Sequence, residues 1–136
     1  MRQELNSVIV QEIAAVRTLL LALEEQHRCI LVNDIFGLDA CVSTIKEANR
    51  NIANMEVERR KLTSGRAMTD IVEELKDADL ENNYYKIKAL LEEVVLQKDT
   101  NELLIKQGLS FTNRILNVLN PVREVATYNA YGKVKK

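Results

Sequence analysis

Tryptophan is absent, and aromatic residues make up only 4% of this 136-residue chain, as four Tyr and two Phe. There is one Pro, and there are four Gly, two Cys and one His. Each scarcity excludes something. A chain so poor in turn formers has few tight turns, which disfavours a β-rich fold. Cys29 and Cys41 lack the spacing of a metal or redox motif and read as small apolar thiols in a reducing cytosol. The single histidine, His27, follows Glu24 at a spacing that puts both on one helix face. Di-iron bundles need two such Glu-x-x-His pairs, and a second cannot exist here. No metal and no cofactor are expected. Acids and amides interrupt the segment from Gln3 to Glu12, which argues against a secretory signal. Uncharged apolar runs are too short for stable membrane insertion.

Net charge is −1, so no global field favours nucleic acid or anionic lipid. The charge is unevenly spread. Residues 68–119 carry ten acids and six bases, net −4; the tail from Pro121 carries four bases and one acid, net +3. The Glu58-Arg-Arg-Lys61 cluster could attract phosphate, but complementing the carboxyl end of a helix is the simpler role. There is no Gly-rich phosphate loop, no Ser-x-x-Lys and no Gly-x-Ser-x-Gly. Carboxylate pairs such as Glu73-Glu74 and Glu92-Glu93 read as solvated faces, since acid–base pairs need desolvation to split their pKa values. The chain is not expected to be an enzyme.

What is abundant is helix formers in heptads. At 136 residues with 46% hydrophobic content, the chain is long enough for one core without metal or disulfide. Positions 5, 9, 12, 16, 19, 23, 26 and 30 read Leu, Ile, Glu, Val, Leu, Leu, Gln, Ile. Alternating spacings of four and three put them on one helix face. A second stripe runs Leu38, Cys41, Ile45, Ala48, Ile52, Met55, Arg59, Leu62. Asn33-Asp34 between the two predicts a short turn and an antiparallel hairpin. Gly37, in the second helix's first turn, is expected to cost roughly 1 kcal/mol relative to Ala. Thr63-Ser64-Gly65 stops that helix.

A third stripe runs Ile87, Leu91, Val94, Ile105, Ile115, Leu119, interrupted by a polar layer at Lys98 and Asn101. Asn120-Pro121 ends it. Leu103, Leu104, Leu109, Phe111, Leu116 and Val118 surround this stripe, enough apolar surface for a partner as well as a core. The expected fold is all-α: an elongated antiparallel three-helix bundle over 1–120, with a C-terminal tail. Long helices are expected at about 3–32, 35–63 and 80–119, with a short extra helix at 69–75 and a polar turn from Lys76 to Asn83. Residues 121–136 are expected to form a basic, flexible tail carrying Tyr128 and Tyr131.

Three segments together resemble a known family: Leu90 to Ile105 with its Asn101-Glu-Leu-Leu-Ile, Leu109-Ser-Phe-Thr-Asn-Arg-Ile-Leu116, and Thr127-Tyr128-Asn-Ala-Tyr131-Gly132-Lys133. They look like the FlgN family of flagellar type III export chaperones for hook-associated proteins. Leu19 to Leu62 resembles that family's opening hairpin, and Met68 to Leu75 the short piece before its third helix. Tyr131 stands where a small or polar residue is expected before the glycine. The resemblance implies a cytoplasmic chaperone. It would bind the C-terminal helical region of hook-associated clients, prevent premature assembly, and deliver them to the export gate. Its client-binding region maps to the end of the third helix and the tail. Leu116, Leu119, Val122 and Val125 are spaced as anchors there if the tail continues as helix. The family's tail tyrosine, associated with docking to the export-gate platform protein, matches Tyr128. Two other readings compete. One is a self-associating adaptor coiled coil with its register set by Lys98 and Asn101. The other is a histidine phosphotransfer bundle using His27, whose usual following Lys-Gly is missing.

Overall fold

The computed structural model describes residues 2–119 in full and, beyond them, the backbone of 127–128 and 134–135. Helix α1 spans Arg2–Val32, α2 Ile35–Thr63, α3 Met68–Leu75 and α4 Ala78–Leu119. Two two-residue strands, β1 Thr127–Tyr128 and β2 Val134–Lys135, pair antiparallel. The chain is all-helical in class. It divides into two compact units, Met1–Asn101 and Glu102–Lys136.

Within the first unit, each reversal has a local cause. Asn33 takes a left-handed backbone (φ 56°), which Asn tolerates better than most residues. Asp34 then caps α2, its Oδ1 accepting from the Gly37 backbone N–H at 2.9 Å. Gly37 is there for space. A Cβ on it would lie 2.5 Å from Cys29 Sγ and 2.6 Å from Asp34 Oδ2. Steric conflict with Cys29 and Asp34 therefore opposes the propensity gain expected of a Gly37→Ala change.

At the other end of α2, Ser64 (φ 54°) and Gly65 (φ 76°) are both left-handed, and their N–H groups bond back to Lys61 and Arg60 carbonyls. The reversal after α3 is tighter than the sequence suggests. Lys76 is left-handed, and Asp77 at once caps α4 by accepting from the N–H groups of Asp79 (2.9 Å) and Leu80 (3.3 Å). The expected polar turn over 76–83 thus shrinks to two residues, and the long helix begins at Ala78. Asp77 also accepts from Asn6 Nδ2 at 3.3 Å and lies 3.7 Å from Arg2 Nε, fixing the start of α4 to the start of α1.

The core draws on all four helices. Leu5, Ile9, Val16 and Leu23 of α1 meet Ala48 of α2, Ile71 of α3, and Leu80, Ile87 and Val94 of α4. Burying side chains of this size contributes about 1.5–3 kcal/mol each. By length and composition α1 could cross a membrane. Nine of its residues, from Leu5 to Cys29, are buried, and most of them pack into the core of this unit.

The polar intruders in the stripes find each other. Glu12, the exception in the first stripe, lies 3.4 Å from Arg59 Nε, the exception in the second. Gln26, the other exception in α1, accepts from Asn101 Nδ2 at 2.9 Å. Asn101 is 1% exposed, and its Nδ2 also donates to the Leu23 carbonyl at 2.8 Å. Gln97 Nε2 donates to Asn101 Oδ1 and meets His27 Nδ1, each at 2.9 Å. This amide cluster satisfies Asn101 on both sides, which makes its burial tolerable. It also engages the histidine that the phosphotransfer reading would use. Lys98, expected in the same layer, is exposed.

Candidate functional site

The buried residues of α4 are Leu80, Ile87, Val94 and Asn101, spaced by seven. The next step in that register is Gly108, with nothing within 4 Å of where its Cβ would be, and the next is Ile115, which is exposed. The buried ladder therefore stops at Asn101, where the second unit begins. This corrects the third stripe. Leu91, Ile105, Ile115 and Leu119 were expected in the core, and all four are exposed. The physical reason is that helical periodicity marks an apolar face without saying what covers it.

From Glu102 to Leu119 no residue of α4 is buried. Leu103, Leu109, Phe111, Val118 and Leu119 are each more than half exposed. At 100° per residue, Leu104, Phe111, Ile115 and Val118 form one stripe, and Ile105, Leu109 and Leu116 form the adjacent one. Together they cover roughly half of the helix circumference. Thr112 Oγ1 donates to the Gly108 carbonyl at 2.9 Å. Its polar side chains, among them Lys106, Gln107, Ser110, Asn113, Arg114 and Asn117, share the opposite half, so the stretch is amphipathic, with apolar anchors three and four residues apart that suit a partner helix.

Of the expected client anchors, Leu116 is half-buried and Leu119 is 76% exposed, both on this stretch. Val122 and Val125 lie outside the described residues, as do Pro121 and Tyr131. Tyr128 is in β1, with its backbone paired to Val134, so the tail is extended there and not a continuation of α4. Sequence reasoning marked Leu103, Leu109, Phe111 and Val118 as surplus to the core. It missed Ile105 and Ile115 by assigning them to the stripe. It also missed an apolar tip on the first unit, where Leu31, Val32, Ile35 and Phe36 are exposed, Phe36 to 90%. Position 36 falls outside both heptad stripes, and that is the signal that would have found it.

The other reactive groups read as structural. Burial pushes the Cys29 thiol up from its ordinary value, which keeps it protonated at neutral pH. Hydrogen bonds from Arg28 lower Glu25. Burial raises Glu12, against the opposing pull of Arg59. Among the described residues, no three His, Cys, Asp or Glu side chains gather as a cation site.

The chain is thus all-helical in class, with a run of exposed apolar side chains at one end of its longest described helix. Comparison with known families narrows this. The FlgN protein family matches residues 1–136, the whole chain, and the chain belongs to that family. Membership implies a flagellar export chaperone role, and the family is one of chaperones, not of known enzymes. No curated protein and no solved structure matches it.

Proposed function

We propose that this protein is a cytoplasmic flagellar export chaperone that holds the C-terminal helical regions of hook-associated proteins on the exposed apolar half of α4. It would keep those clients from premature assembly and deliver them to the type III export gate. The observation that carries this reading is the run from Leu103 to Leu119, apolar, helical and without a buried residue. Soluble proteins rarely leave so much contiguous apolar surface uncovered unless a partner takes it. The scaffold we infer is a three-helix bundle of α1, α2 and the first part of α4. Its support is the shared core and the polar ties at Asp77 and Asn101. Leu116 and Leu119, with Val122 and Val125 beyond them, are the proposed client anchors. Tyr128 is the proposed contact with the export-gate platform protein, its phenol offering large area and a hydroxyl at low entropic cost.

The test is calorimetric titration with the C-terminal segments of hook-associated proteins. The expected result is saturable binding by the full chain, reduced in a version ending at Asn120 and retained in Tyr128→Ala. No binding of any such segment by the full chain would refute the reading. The same exposed residues would also serve a second copy of this chain, as in a self-associating adaptor. Sedimentation equilibrium without client separates the two: a monomer removes the adaptor, and a tight dimer with its α4 face covered removes the chaperone.

A further inference from the structure

The first unit contains a cleft of about 450 Å³ that the client reading does not use. It lies where α1, the end of α2, the start of α3 and the middle of α4 meet. Ile9, Met68, Ile87 and Leu91 supply its apolar lining. Arg59, Arg60, Arg66 and Lys88 also line it, against a single acid, Glu12. With Glu56 and Glu74, which pair with these arginines at the cleft edge, four bases meet three acids, a local excess of one positive charge.

These cations are not spent equally on internal partners. Arg60 reaches Glu56 at 2.8 Å and Arg66 reaches Glu74 at 2.5 Å, both pairs solvent-exposed and so weakly held. Lys88 sits 5.4 Å from the Tyr84 ring centroid and has no carboxylate partner among the described residues. Glu12 is 6% exposed, and its Oε2 has no hydrogen-bond donor. Arg59 Nε, at 3.4 Å, makes an ion pair with that oxygen but lacks the alignment of a hydrogen bond. A buried acceptor without a donor is costly, so Arg59 is held to Glu12, and the accessible cations of the cleft are the ones at its mouth, Arg66 and Lys88 above all.

We propose that this cleft binds an acidic, apolar peptide segment of a partner protein, with its apolar side chains over Leu91 and Tyr84 at the cleft mouth, above the floor formed by Met68 and Ile87, and its carboxylates at Arg66 and Lys88. The charge pattern selects this occupant. The chain's own tail, with four bases and one acid, is repelled by the rim. The acidic stretch of a second copy is unsuited, because its Ile71 and Leu80 are core residues. Inorganic phosphate would satisfy the cations but brings no apolar contact. The site lies wholly within the first unit and does not depend on what the end of α4 binds.

The experiment is a methyl NMR titration of the full chain. The probe is a short blocked peptide of alternating Leu and Glu, with the matching Leu–Lys peptide and inorganic phosphate as separate additions. The Leu–Glu peptide is expected to shift the Met68, Ile87 and Leu91 methyl signals saturably, and the Leu–Lys peptide to leave them in place. Arg66→Gln combined with Lys88→Gln is expected to weaken binding at least about tenfold, since two charge-assisted contacts are lost. Both positions are exposed, so the thermal midpoint should hold. Equal shifts from the Leu–Lys peptide, or shifts confined to Leu103–Val118, would overturn the proposal. The same shifts from phosphate alone would overturn the peptide reading in favour of a plain anion site.

Discussion

Residues 80–101 and 102–119 belong to one helix and continue one heptad register, yet they differ in almost every physical respect. The first stretch buries a residue every seven positions and closes on Asn101, whose amide is held on both sides. The second buries none and exposes large apolar side chains over half its surface. Apolar content is similar, ten of the 22 residues in the first stretch and nine of the 18 in the second, so it is not the cause. The difference lies in what stands opposite. Leu5, Val16 and Leu23 of α1 give the first stretch its partners. A heptad is a statement about one face, and only the facing surface turns it into core.

The comparison can be broken by moving one substitution along the helix. Ile87→Ala should cost about 2–5 kcal/mol in chemical denaturation, as a cavity in packed core does. Ile115→Ala, the same change four heptads on from that register, should stay within about 0.5 kcal/mol. Similar costs at both sites would show that the second stretch is packed after all. Client binding should show the reverse pattern. Leu109→Asp with Phe111→Asp should abolish calorimetric binding of a hook-associated C-terminal segment while leaving stability nearly unchanged, and Ile87→Ala should leave the affinity of the folded protein alone.

Smaller effects sharpen the boundary. Asn101→Ala leaves the Leu23 carbonyl and the Gln26 and Gln97 amides short of a partner, a loss of about 1–3 kcal/mol in a urea melt. Gly37→Ala should destabilise by about 1–3 kcal/mol through crowding against Cys29 and Asp34. A gain in stability there would mean that propensity outweighs the steric conflict. The last prediction concerns pH. Burial raises the Glu12 pKa above its ordinary value of 4.5, so the folded state holds that proton more tightly than the unfolded chain does. Its contribution is present below 4.5 and is lost as pH rises through the raised folded value. Wild type should therefore gain stability relative to Glu12→Gln as the pH is lowered from neutral toward 4.5. A difference that stays flat across that range would contradict the assignment.

Much of this was legible from residues alone. The all-helical class followed from the heptads, and the hairpin turn from Asn33-Asp34. Even the polar exceptions were informative: Glu12 and Arg59, one in each stripe, proved to face each other, and Gln26 faces Asn101. Three things were hidden because each depends on a neighbour far away in sequence. Gly37 looked like a helix defect until Cys29 was placed beside it. Asp77 looked like part of a polar turn, although its carboxylate both caps α4 and holds α1. Ile105 and Ile115 looked like core because no pattern within α4 records where α1 stops providing cover. The cleft was hidden for the same reason. Arg59 and Arg60 were visible as a cluster, but Arg66, Lys88 and the apolar lining come from other elements.

The most direct test of the central claim is hydrogen–deuterium exchange of the full chain, with and without a C-terminal helical segment of a hook-associated protein. Exchange should slow on binding across 102–119 and stay unchanged across 80–101. Protection confined to the first unit, with none from 102 to 119, would contradict the assignment of the exposed end of α4 as the client surface.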